Sequence, residues 1–141
     1  MVRYQVYEQG TRIDVKYVEN LADIPGIPYM QNAVAYTTWY DGGTSVQIYF
    51  DAMVIRNIMM SDNDKMKHKL TSIVAHEAVH AGIYIYAMAQ PNERDVILPE
   101  SEKLPYLVGS ITYKLLKNID KYIKDFYSSA NSHDLLVLSR G

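Results

Sequence analysis

Few residues in this chain are equipped for chemistry, and two of its four histidines stand together in the run His76-Glu77-Ala78-Val79-His80. On an α-helix, residues four apart lie on one face, about 5–6 Å apart at Cβ. Two imidazoles so placed can address one zinc ion at bonds of about 2.0–2.1 Å. Glu77 falls about 100° further round the helix, beside the ion. There its carboxylate can take a proton from a water that zinc has made acidic. The competing explanation is an accident of helical sequence. Against it, the motif sits inside the apolar stretch "TSIVAHEAVHAGIYIY", where unpaired imidazoles and a carboxylate are costly to bury. Ala75, Ala78, Ala81 and Gly82 keep the surroundings small. Glycine costs about 1 kcal/mol inside a helix, so Gly82 signals a close neighbour.

A catalytic zinc needs a third protein ligand. The extension H-E-x-x-H-x-x-G-x-x-H is excluded, because Ile83 and Tyr86 occupy the required glycine and histidine positions. His68 lies too far along the same helix, and His133, in a polar tail, reads as a solvated surface residue. With no cysteine in the chain, carboxylates remain. The loop "QPNERDVILPE" turns the chain back, and the next helix opens near Glu100 and Glu102. Glu102 is the first choice for third ligand, with Glu100 and Asp95 as alternatives. Glutamate in a first helical turn is also ordinary dipole complementation.

The elements that must position these groups follow from periodicity. "RYQVYE" and "RIDVKYVE" alternate as half-buried strands. Pro25 and Pro28 mark a loop. "NAVAYTTWYDGGTSVQIYFD" holds two strand-like runs around Asp41-Gly42-Gly43, a hairpin signal. Asp51 can cap a short helix to Met60. A long helix carrying the histidines begins near Ser61–Asp64 and stops by Pro91, with Met66, Leu70, Ile73, Val74, Ala81, Tyr84 and Met88 as its apolar face. A last helix spans about Ser101 to Tyr127, burying Leu104, Leu107, Val108, Ile111, Leu115, Ile119 and Ile123. The expectation is an α+β protein: a small, mostly N-terminal sheet with a hairpin, packed on the histidine helix and a long C-terminal helix. Residues 1–128 form one domain. Residues 129–141 form a tail whose apolar patch, Leu135 to Leu138, either docks back as an edge strand or meets a partner.

At 141 residues with net charge −2, the chain is long enough for a real core, and nothing in its charge calls for nucleic acid or an anionic membrane. No segment resembles a signal peptide or reaches the ~18 apolar residues of a membrane span. A soluble, cytoplasmic protein is expected; its oligomeric state is open.

"HEAVHA" followed by "ESEKLPYLVGSI" resembles the gluzincin zinc metallopeptidases, and more narrowly short metallopeptidases encoded by bacteriophages. In the latter, the third-ligand glutamate is followed after three residues by Tyr-Leu-Val-Gly, here Tyr106-Leu107-Val108-Gly109 after Glu102. The resemblance covers about residues 66 to 118. It implies a minimal zincin-like domain and one zinc held by His76, His80 and Glu102. It also implies Glu77 as general base for peptide-bond hydrolysis through a metal-activated water, and host cytoplasm or virion as the location. It implies, too, an edge strand that binds an extended substrate peptide, either "TSVQIYF" or "AVAYTTWY". Tyr106 stands where larger gluzincins carry an aspartate that orients a histidine ligand, and Pro105 is a further departure. Tyr84, four residues after His80, Tyr106 and Tyr113 are candidate oxyanion donors, with plain packing as the competing role. The alternative function is a zinc-containing, non-catalytic binding or virion-associated module on a peptidase-like scaffold. Hydrolysis of a non-peptide amide would use the same residues.

Overall fold

The computed structural model describes residues 1–24, 33–39, 44–89 and 102–140. The N-terminal strands β1 (Val2–Glu8) and β2 (Thr11–Val18) form an antiparallel hairpin. Its two-residue turn places Gln9 and Gly10 at φ 48° and 77°, the left-handed geometry that matches strand twist. After a 3-10 turn at Leu21–Asp23 come β3 (Ala35–Trp39) and β4 (Ser45–Asp51), again antiparallel. The sheet order is β1-β2-β4-β3, with β2 and β4 parallel. Of the two runs that could serve as edge strand, "TSVQIYF" is therefore interior. Residues Ser45 to Phe50 are all buried, as a strand covered on both faces should be. β1 and β3 are the two edge strands, and among the described residues nothing pairs with the outer side of β3.

Asp51 caps α1 (Ala52–Met60), its carboxylate accepting the Val54 N–H at 3.1 Å. Asn63 opens α2 (Asp64–Ala89) by accepting the Lys65 N–H at 2.9 Å. The third helix, α3 (Lys103–Arg140), runs for 38 residues, about 57 Å at 1.5 Å per residue. The expected end near Tyr127 and the hinge beyond it are replaced by continuing helix. No Gly or Pro lies between residues 128 and 140 to stop it. The Pro25–Pro28 loop, the Asp41-Gly42-Gly43 turn and the Pro91–Pro99 loop, with Asp95 and Glu100, lie outside the described residues.

One face of the sheet meets the helices. Ile13, Val15 and Tyr17 of β2 and Val46, Ile48 and Phe50 of β4 are buried against Leu70, Val74, Ala78, Ala81 and Ile85 of α2 and Leu107, Ile111, Leu115 and Ile119 of α3. Met88, expected on the apolar face of α2, is instead exposed, one residue before the last of that helix. A smaller cluster of Val18, Leu21 and Tyr49 covers the other face.

The N-terminal hairpin is fastened to α3 by polar contacts. Tyr4 donates to Asp125 at 2.8 Å and Tyr17 to Asn118 at 2.7 Å. Glu8 accepts from Ser110 at 2.8 Å and pairs with Lys114. The Tyr17 and Tyr122 rings stack 3.9 Å apart. Arg56 of α1 joins Glu19 to the Tyr122 hydroxyl at 2.9 Å each. Among the described residues no helix is long and apolar enough to cross a membrane.

Candidate functional site

The histidine motif occupies the middle of α2, where helical spacing turns Ala78 and Ala81 into the core and leaves His76 and His80 exposed. Their Nε2 atoms converge to 3.2 Å, with the rings edge to face. Two nitrogens each about 2.0–2.1 Å from one tetrahedral ion stand about 3.3 Å apart. That spacing matches two adjacent ligands of a tetrahedral ion, and it equally suits an N–H···N hydrogen bond between the two rings. Neutral imidazole is also a suitable donor for that metal.

Glu77 faces β3 and is only 4% exposed. The Thr37 hydroxyl donates to its Oε2 at 3.1 Å. Burial pushes the Glu77 carboxyl above the ordinary carboxylate range, opposed by the Thr37 hydrogen bond and by the charge of His76 and His80.

Thr37 is placed by strand register. The Asp51 N–H donates to the Val34 carbonyl at 2.8 Å, and these two residues are directly opposite in the β3–β4 ladder. Residues 34, 36 and 38 thus bond inward to β4, while the N–H and C=O groups of Ala35, Thr37 and Trp39 point out of the open edge. The side chains of the same three residues face α2. Between strand edge and helix lies a groove of about 570 Å³. Ala33, Ala35, Thr37 and Trp39 form one wall; Ser72, Ile73, His76, Glu77 and His80 form the other. Among the described residues no lysine or arginine lines it, and Glu77 is the one carboxylate. At one end the Trp39 ring stacks on Tyr84, 5.1 Å between centroids.

No family model, no curated protein and no solved structure matches the chain.

The remaining sequence-derived residues are placed as follows. Glu102 precedes α3, exposed, its carbonyl accepting the Tyr106 N–H at 3.1 Å. It does not join His76 and His80: among the described residues no group of three or more His, Asp or Glu side chains is arranged to hold a metal ion. Tyr106 is 71% exposed on the surface of α3. Tyr113 is also exposed, beneath the Lys117 ammonium. Tyr84 alone of the three tyrosines adjoins the groove, through Trp39. Thr37 and Trp39 were not singled out from the sequence, since threonine and tryptophan are ordinary strand residues. Their role becomes visible only once β3 is known to be the edge beside α2.

Proposed function

We propose that this protein is a zinc-dependent metallopeptidase with a minimal zincin-like fold, hydrolysing peptide bonds with Glu77 as general base. The observation that carries the reading is the convergence of the His76 and His80 Nε2 atoms at 3.2 Å, on a groove whose opposite wall is an open strand edge. His76 and His80 would hold the ion. The resemblance assigns the third position to Glu102, with Glu100 and Asp95 as alternatives from the same connection. Zinc, when bound, supplies the Lewis acidity that acidifies a water and polarises a carbonyl.

The chain's own residues supply the rest. Ala35, Thr37 and Trp39 offer backbone donors and acceptors along the edge, so an extended peptide can pair there as an added strand. Among the described lining residues there is no lysine or arginine to pair with an acidic side chain. Glu77 accepts the proton of the attacking water and passes it to the leaving amine.

A non-catalytic zinc-holding module is the second reading, favoured by the presence of only two converging ligands among the described residues. Metal content by mass spectrometry, beside turnover of casein peptides, separates the two. The peptidase reading expects one zinc per chain, lost in His76→Ala and His80→Ala. It also expects Glu77→Gln to retain zinc without turnover. Zinc retention with no turnover by the parent protein would favour the module, and absence of zinc would remove both.

A further inference from the structure

The groove contains one polar contact that zinc ligation does not require. Thr37 and Glu77 are both buried, at 9% and 4% exposure, and they meet through a single hydrogen bond, Oγ1 to Oε2, at 3.1 Å. No other hydrogen bond to the carboxylate is made by any described residue, and no buried side-chain oxygen among them lacks a partner. Among the described residues, Oε1 is therefore the carboxylate oxygen left without a donor, on a side chain that lines the groove.

We propose that Thr37 is the positioning residue of the general base: from the edge strand it clamps Oε2 of Glu77 and so presents Oε1 as the proton acceptor. The assignment rests on the metallopeptidase reading and deepens it. The terminal torsion of a glutamate is broad and roughly two-fold, so a carboxylate on a helix face does not by itself aim one oxygen. A β-branched threonine is stiff at χ1, and Thr37 is further held by its pairing opposite Ile48. The backbone of the same residue faces outward along the edge. The strand that would receive the peptide is thus the strand that orients the base, and substrate backbone and proton acceptor share one reference frame. Valine has the same shape and suits a strand equally well. The hydroxyl is the feature that needs explaining, and among the described residues Glu77 is its only partner.

The test compares the parent with Thr37→Val, Thr37→Ser and Glu77→Gln in zinc-loaded protein on casein peptides. Thr37→Val is expected to lower kcat by about ten- to a hundredfold, the scale set by a misaligned catalytic group, with KM unchanged within about twofold. Thr37→Ser, which keeps the hydroxyl, restores most of kcat. In metal-free protein, urea unfolding of Thr37→Val, Glu77→Leu and the double variant reads the contact without turnover. Removing one partner leaves a buried polar group stranded, whereas removing both is nearly neutral. The double variant is therefore expected to be no less stable than Thr37→Val alone. Parental kcat in Thr37→Val, failure of Thr37→Ser to rescue, or strictly additive urea shifts overturn the assignment while leaving the peptidase reading intact. Absence of turnover in the parent removes that reading and this assignment together. If valine prevents folding, Thr37→Ala repeats the comparison.

Discussion

Gly82 of α2 and Val108 of α3 meet where a side chain on the glycine has no room: a Cβ there would stand 3.0 Å from Val108 Cγ2 and 3.6 Å from Leu104 Cδ1. This contact sets the spacing of the two helices two residues beyond His80. Gly82→Leu is expected to destabilise the protein by about 1–3 kcal/mol through overpacking, read as a lower urea midpoint with unchanged slope. Val108→Ala should relieve most of that cost. In the Val108→Ala background, Gly82→Ala should become stabilising by up to about 1 kcal/mol, the helix-propensity gain freed from the clash.

The convergence of two imidazoles predicts a metal-dependent melting temperature. Zinc added to chelator-treated protein should raise it, since an ion bound only by the native state stabilises by about 2.7 kcal/mol at a hundred times its Kd. His76→Ala and His80→Ala should each abolish the shift. Chelation should return the parent to the metal-free value. An equal shift in both variants would place the bound metal elsewhere.

Trp39 is the chain's single tryptophan, and it lines the groove while stacked on Tyr84. Its emission should therefore report occupancy without any label. An extended, uncharged peptide is expected to shift the Trp39 spectrum saturably, and cobalt bound at the histidine pair is expected to quench it. Tyr84→Ala should alter the unliganded spectrum by removing the stack. A spectrum unmoved by peptides that are turned over would mean that they lie elsewhere.

Away from the groove, Glu19 and Arg56 predict a pH dependence. The hydrogen bond from Arg56 holds the Glu19 carboxyl below its ordinary value. Because the folded value is depressed, the contribution is present above the unfolded carboxylate range, near about pH 4. It disappears as pH falls through the folded value. Glu19 is largely exposed, so salt should weaken the effect. The urea midpoints of the parent and Glu19→Gln are expected to differ at pH 7 in low salt and to converge in acid. Arg56→Ala should cost more at every pH, because Arg56 also bonds the Tyr122 hydroxyl and covers the Phe126 ring.

Much of the architecture was legible because its signals are local. Alternation in "RIDVKYVE" marked β2, Asp51 marked the start of α1, and the glycine penalty at Gly82 pointed to the close neighbour that proves to be Val108. What escaped was non-local. The parallel pairing of β2 with β4 decides which strand is the edge, and it joins Ile13 to Val46; no pattern within either strand encodes that choice. Thr37 acquires a candidate role only through this pairing, and its hydrogen-bond partner is 40 residues away. The run of α3 past Tyr127 escaped for a different reason: polar composition suggested a hinge, but polarity without Gly or Pro does not end a helix.

The contacts from Tyr4, Glu8 and Tyr17 to residues 110 to 125 have a mechanical side. They buckle the first strands of the chain to its last helix, so the fold closes like a strap whose two ends are pinned together. The described residues that line the groove all come from the intervening stretch, 33 to 80. The fastening and the described groove walls are thereby given to different parts of the chain, and the groove can be re-cut by substitution without undoing the buckle.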